Sequence, residues 1–290
     1  MNFLLEQTQK KIDGLGNSGC KLELLHGNPV AIRKTALSPQ YFDRLGRQRS
    51  KQQHFDCPIA GIRVPRVLGF DACSFTMEHL PMLTAIDFFE RAEPSVIGLR
   101  MDILVDFVRW EIENSVLTEI DSHVFRDKLL MIKSQQSAEI WVHYYARYEA
   151  IFLSNLPLKM LVLTGNCHGD MTFSNVLFSM RENQVGLIDF LDTFIDSPLM
   201  DIAKLLQDAR FHWSSYRFPL PHDSAKIQII NAWIQTRINN AFKHEVATLP
   251  FWAIQMMNYF RIIPYIYLPE EHEYIARILA QICAQNEETK

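Results

Sequence analysis

The sequence predicts an α+β fold in two parts, a small antiparallel sheet carrying one helix followed by a larger, mainly helical part. Three observations predict it. The first 80 residues alternate short apolar runs with turn residues; from Ala85 onward apolar residues recur at helical spacing; strand character returns only around 160–190. At 290 residues the chain suits two domains of the usual ~100–200 residues. The change in pattern places them at 1–80 and 81–290, with a hinge about 77–82.

Each element has a local reason. In "CKLELLHGNPVAIRKTA" two strand-like runs meet at His26-Gly27-Asn28-Pro29, whose residues suit a hairpin turn. Ser38 is placed to cap, and Pro39 to occupy, the first position of a helix that runs polar until Cys57-Pro58. Strands are expected at 64–70 and 74–77, separated by a turn at Asp71. Helices are expected over 95–116, 128–154, 198–209, 225–242, 251–263 and 270–285, with short strands in "MLVLTG", "NVLFS" and "VGLIDF".

Composition excludes several classes. Hydrophobic residues at 48% and charged residues at 21%, with no low-complexity tract, argue for a packed globule rather than a disordered chain. Net charge is −4 and the basic residues are dispersed, which argues against a nucleic-acid partner. No window reaches the ~20 apolar residues of a membrane span, and the start lacks a charged leader, so a cytoplasmic protein is expected. Cys20, Cys57, Cys73, Cys167 and Cys283 are odd in number and lack CxxC spacing, which points to reduced thiols rather than a zinc or redox site.

Chemistry concentrates in "NCHGDMTFSNVLF" and "LIDFLDTFIDSPLMD". The strands "NVLFS" and "VGLID" flank the turn "MREN", so a hairpin would bring Asn175 and Asp189 together at its open end. An amide oxygen and a carboxylate are hard ligands suited to Mg²⁺, which takes one or two carboxylates plus phosphate oxygens. Asp170, on the loop entering the hairpin, is placed to accept a proton from a hydroxyl nucleophile.

These residues resemble the catalytic core of the aminoglycoside phosphotransferase and choline kinase-like family, distant relatives of protein kinases. Asp170 and Asn175 have the spacing of the base and metal-binding Asn in H-R-D-x-x-x-x-N, and Asp189 in Ile188-Asp189-Phe190 matches the D-F-G Asp. The segment "SPLMDIAKLLQD" resembles the one that follows the metal Asp in these phosphotransferases. The resemblance implies a bilobal protein kinase-like fold. It also implies Asp170 as catalytic base, Asn175 and Asp189 as Mg²⁺ ligands, His168 as a loop-shaping histidine and Asp201 as a buried brace of the catalytic loop. Asp192 would assist a second metal or face substrate, or equally be a solvated turn residue.

On the nucleotide side, Gly14-x-Gly16-x-x-Gly19 fits a glycine-rich loop over phosphates, a weak motif that gains weight from the strands after it. "VAIRKTA" resembles the kinase strand whose lysine pairs with phosphates; Arg33 and Lys34 face opposite ways on such a strand, and Lys34 is favoured. Kinases hold that lysine with a helix Glu, but residues 37–55 contain none, leaving Gln48 or Gln52 to replace it through a neutral hydrogen bond. "FTMEHLP" resembles the interlobe linker, with the Glu78 carbonyl and Leu80 amide on the adenine edge and Met77 as gatekeeper.

About a dozen residues separate Asp189 from Asp201, too few for an activation segment with an A-P-E anchor, so the acceptor is expected to be a small molecule. "HGDMTFSN" is similar to variants in kinase-like proteins associated with bacterial surface-polysaccharide genes. Trp252, Gln255, Met256, Tyr259 and Ile263 share one helical face that suits sugar rings, although such a stripe is more often core packing. The expectation is a Mg²⁺-dependent kinase moving the γ-phosphoryl of ATP or GTP to a sugar-like hydroxyl. An aminoglycoside or amino-alcohol kinase is the alternative, favoured by Asp192 and Asp196, and a regulatory pseudokinase is the rival of another class, favoured by the missing Glu.

Overall fold

β1 (Cys20–Leu25) and β2 (Ala31–Ala36) form the expected antiparallel hairpin, with Leu22 opposite Lys34 and Glu23 opposite Arg33. The structure is a computed structural model and describes residues 19–218 and 221–288. The pleat of β2 buries Ile32, Lys34 and Ala36 and exposes Arg33, so the choice between the two basic residues follows from strand alternation. β4 (Val67–Phe70) and β5 (Ser74–Glu78) complete a four-stranded sheet in the order β1-β2-β5-β4. Leu45 of α1 (Phe42–Gln53) joins Leu24, Ile32, Phe75 and Met77 in the core beneath it.

The expected strand 64–70 starts later, at Val67, and a separate short strand precedes it. Pro65 lacks an N–H, which ends the short β3 (Ile62–Arg63) before β4 begins. β3 joins a second sheet, pairing parallel with β10 (Val185–Leu187), and β9 (Val176–Phe178) and β6 (Leu83–Thr84) follow in the order β3-β10-β9-β6. The β9–β10 hairpin pairs Val176 with Leu187, which sets Asn175 and Ile188 side by side at its open end; the Ile188 amide donates to the Asn175 carbonyl at 3.1 Å. Behind α2 (Ala85–Arg91), Arg100 of α3 (Pro94–Glu113) secures the turn of this hairpin by donating to the Ser179 carbonyl at 3.1 and 3.2 Å.

Two helical expectations need correction. The helix expected to 116 ends at Glu113, and "VLTEID", which alternates with period two, forms β7 (Val116–Asp121). β7 pairs antiparallel with β8 (Lys159–Thr164) from Val116–Thr164 to Asp121–Lys159. The helix expected over 128–154 is three: α4 (His123–Lys133), α5 (Ala138–Tyr144) and α6 (Ala146–Asn155). Ser137 explains one break, because its hydroxyl accepts from the Ile140 amide and so caps α5 rather than continuing α4.

The chain divides into two compact units that interleave in sequence. The first comprises the described residues up to Phe107 with Asp170–Asp192 and Trp213–Ile230; the second comprises Val108–Gly169, Thr193–His212 and the described residues from Asn231 on. In the second unit every residue of α7 (Pro198–Ala209) is buried, and it packs against α10 (Leu249–Phe260). The α10 face proposed as a sugar wall is core: Trp252, Gln255, Met256 and Tyr259 are all buried, as is Ile263 beyond the helix. The ring of Trp252 lies 5.6 Å from that of Phe152, and Asn258 donates to Gln207 at 2.7 Å. α8 (Trp213–Arg217), α9 (Ser224–Ala241) and α11 (Pro269–Glu288) complete the fold. All five cysteines are reduced, and no helix among the described residues is long and apolar enough to cross a membrane.

Burial also sets a pH dependence. His272 of α11 is 3% exposed, with Nδ1 2.6 Å from the Tyr145 hydroxyl, and burial lowers its pKa below the usual 6.5; burial lowers His79 and His212 likewise. The unfolded chain therefore binds more protons than the folded one once pH falls below about 6.5. Stability is fully present above that pH and is lost as pH falls through the lowered folded values. Thermal melts at pH 7.5 and 5.5 should show a Tm lower by about 3 °C or more at the acid end, with a smaller drop in His272→Gln.

Candidate active site

The loop through His168 and Gly169 is held chiefly by one buried carboxylate. Asp201, fully buried in the first turn of α7, accepts from the His168 amide at 2.6 Å and the Gly169 amide at 2.8 Å. It does not cap its own helix: Ser197 does, its hydroxyl accepting from the Leu199 amide. The His168 amide also reaches Glu111 Oε1 at 3.2 Å, and its side chain is fully buried. Gly169 has φ 86°, a left-handed conformation that glycine adopts freely, and it turns the chain into Asp170. Glu111 was not among the candidates from sequence; a lone acid on the apolar face of α3 was its signal.

Asp170 and Asn175 are locked together. The Asn175 side-chain amide donates at 2.9 Å to both the backbone carbonyl and Oδ2 of Asp170, and the Thr172 amide donates to the same carbonyl at 2.7 Å. With its Nδ2 committed, Asn175 has Oδ1 as the atom to offer a cation. Asp189, just past β10, has φ 60°, a left-handed conformation tolerated by Asp better than by most residues. Its Oδ1 lies 3.0 Å from Lys34 Nζ, and Lys34 is 2% exposed against 31% for Asp189. Lys34 and Asp189, 155 positions apart in sequence, thus meet directly.

Of the two glutamines proposed to replace the helix Glu, Gln48 reaches the lysine: its Oε1 accepts from Lys34 Nζ at 3.3 Å. Gln52 instead donates to the Pro65 carbonyl at 2.8 Å and tethers α1 to the sheet. Two further residues of α1 hold the segment after Asp189. Lys51 donates to the Leu191 carbonyl at 2.9 Å, and Arg47 pairs with Asp192 at 2.5 Å, both side chains substantially exposed. Sequence reasoning missed both, although "RQRSK" places them one turn apart. Asp192 is therefore an ion-pair partner of α1.

The remaining candidates separate. Gly14 and Gly16 lie outside the described residues. Gly19 has φ 68°, and a side chain there would run into the ring of Tyr41, so its glycine has a local packing reason. Arg33 is exposed on the opposite face of β2. In the linker, the Glu78 amide donates to the Arg66 carbonyl and the His79 amide to the Val30 carbonyl, while the Glu78 side chain sits 3.5 Å from Arg63 and 3.6 Å from Arg66. Leu80 is buried.

The donor set fits Mg²⁺. Among the described residues no three His, Cys, Asp or Glu side chains group as a metal site. Asn175 and Asp189, an amide oxygen and one carboxylate, match the sparse protein ligation typical of a magnesium ion that also binds phosphate.

Residues 116–226 match the model of the phosphotransferase enzyme family, a span that contains Asp170, Asn175, Asp189 and Asp201. The chain has the phosphotransferase-family fold. The apo form of a thermostable mutant of the aminoglycoside phosphotransferase APH(4)-Ia is similar over 93% of this chain and 94% of its own, with TM-score 0.57 and 12% identity. The streptomycin-ATP complex of APH(2")-IIa is similar over 98% of each chain, with TM-score 0.52 and 15% identity. A Plasmodium vivax ethanolamine kinase is similar over 95% of this chain and 86% of its own, with TM-score 0.50 and 8% identity. No curated protein matches. The family match over 116–226 is to phosphotransferases, and the solved aminoglycoside and ethanolamine kinases share the fold.

Proposed function

We propose that this phosphotransferase-family chain is a Mg²⁺-dependent kinase that transfers the γ-phosphoryl of ATP or GTP to a hydroxyl of a sugar or sugar-like acceptor. One observation carries the reading: the β9–β10 hairpin brings two bonded pairs, Lys34 with Asp189 and Asn175 with Asp170, to its open end within a single compact unit. In this reading residues 1–80 bind the nucleotide, with Glu78 and Leu80 of the 77–82 linker at its base, and 81–290 supply catalysis and the acceptor site.

Asp170 orients the acceptor hydroxyl and takes its proton as the oxygen attacks the γ-phosphorus. Lys34 pairs with nucleotide phosphates, and the diphosphate leaves with the bond electrons. Asn175 and Asp189 would hold Mg²⁺, whose positive charge offsets charge building on the phosphoryl oxygens. Asp201 keeps the amides of His168 and Gly169 in place, so that Asp170 follows from a fixed turn.

The pairing of Asp192 with Arg47 removes one of the two acids that favoured a cationic aminoglycoside or amino alcohol, and so supports a neutral sugar-like acceptor. The bond from Lys34 to Gln48 supports a working kinase over a regulatory pseudokinase, because a positioned lysine does not require the missing Glu. Isothermal titration with ATP and GTP, with and without Mg²⁺, tests the reading. Metal-dependent binding is expected, and Asp189→Ala should weaken it by about 100-fold or more; unchanged affinity in that variant would place the metal elsewhere.

A further inference from the structure

We infer that Lys34 and Mg²⁺ compete for Asp189, and that Gln48 is the positioning residue that sets the outcome. The inference rests on the proposed function and goes beyond it by assigning the protein a metal requirement tuned by one neutral side chain.

Lys34 is an ammonium with 2% exposure, and such a charge needs a partner. Among the described residues Asp189 is the one carboxylate within ion-pair distance, at 3.0 Å. The other contact, Gln48 Oε1 at 3.3 Å, is a neutral amide: it accepts a hydrogen bond but cancels no charge. Asp43 is the sole acid within α1, at the end away from Gln48. The neutralising role that a helix Glu performs in kinases therefore falls on the metal-loop carboxylate itself.

The neighbouring contacts reinforce this arrangement. Arg47 to Asp192 and Lys51 to the Leu191 carbonyl attach α1 to the residues that follow Asp189, while Gln48 holds Lys34, the partner of Asp189. One Asp189 oxygen is thus committed to an ammonium that is itself held in place. A cation arriving at Asp189 meets a carboxylate whose charge is already offset, and binding is weakened by the repulsion between the two positive charges. Nucleotide phosphates relieve the conflict, since they supply Lys34 with an alternative anion. Metal and nucleotide should consequently bind with positive coupling, each strengthening the other by the same factor.

Gln48→Glu supplies the missing charge to Lys34 and should free Asp189. The half-saturating Mg²⁺ concentration for ADP binding, read by titration calorimetry, should fall about fivefold relative to wild type. Gln48→Leu, which has similar bulk and no acceptor, should leave it equal or raise it. A midpoint in Gln48→Glu that is unchanged or higher, in protein with a wild-type melting curve, overturns the inference while leaving the proposed function standing. If Gln48→Glu fails to fold, Mn²⁺ binding without nucleotide, followed by electron paramagnetic resonance, decides the matter in Lys34→Met: tighter Mn²⁺ binding than wild type is expected, and equal or weaker binding overturns it. Absence of any Mg²⁺-dependent ADP binding by wild type would instead sink the proposed function and this inference with it.

Discussion

Asp170→Asn should lower turnover by about 10³-fold while changing Mg²⁺-nucleotide affinity less than about threefold. The substitution keeps the shape of the side chain, and the new amide oxygen can still accept the bond that Asn175 Nδ2 gives to Oδ2 at 2.9 Å. The bonds from Asn175 and Thr172 to the Asp170 backbone carbonyl do not involve the side chain at all, so the loop geometry survives. What is lost is the negative charge that, in the proposed mechanism, orients the acceptor hydroxyl and accepts its proton. Single-turnover measurement of phosphoryl transfer beside calorimetric nucleotide binding separates the two effects. Equal loss in both would show that Asp170 serves the metal rather than the hydroxyl.

The second large effect is structural in origin. Asp201→Ala removes the acceptor of two buried amides, those of His168 and Gly169, at 2.6 and 2.8 Å. Hydrogen bonds to a charged group contribute about 1.5–3 kcal/mol each, and the amides left behind are buried where water does not readily replace the carboxylate. A loss of about 3 kcal/mol is expected in chemical denaturation, together with a fall in kcat larger than any change in KM for nucleotide. Asp201→Asn retains one acceptor oxygen and should show a smaller loss in both. A stable Asp201→Ala protein with wild-type kcat would refute the bracing role. Glu111, which also accepts from the His168 amide at 3.2 Å, gives that residue a partial substitute and makes Gly169 the more sensitive of the two.

Much of the site was legible before any fold was known because its spacing is set by short-range geometry. Asp170 and Asn175 sit on one loop, and the turn between two short strands carries Asp189 to the same end of a hairpin whatever packs around it. β2 likewise exposes Arg33 and buries Lys34 through strand alternation alone. The expected hairpin about His26–Pro29 and the helix 198–209 followed from turn chemistry and periodicity.

Other features were decided only by tertiary contact. The run 116–121 alternates too briefly to outweigh the helical pattern ahead of it, and it becomes a strand because 159–164 is available to pair with it. The aromatic face of α10 served two readings, with core packing the commoner, until α7 was found buried against it, since periodicity marks a face as apolar without saying what covers it. Which glutamine meets Lys34 depends on how α1 sits over its sheet: Gln48 and Gln52 share a helical face, and a single turn along the axis separates an ammonium from the Pro65 carbonyl. The sequence by itself determined the candidate residues and their order along the chain, because local backbone geometry dictates them. The tertiary structure decided their partners, because hydrogen bonds and ion pairs between distant segments form only once packing has brought those segments within about 3 Å.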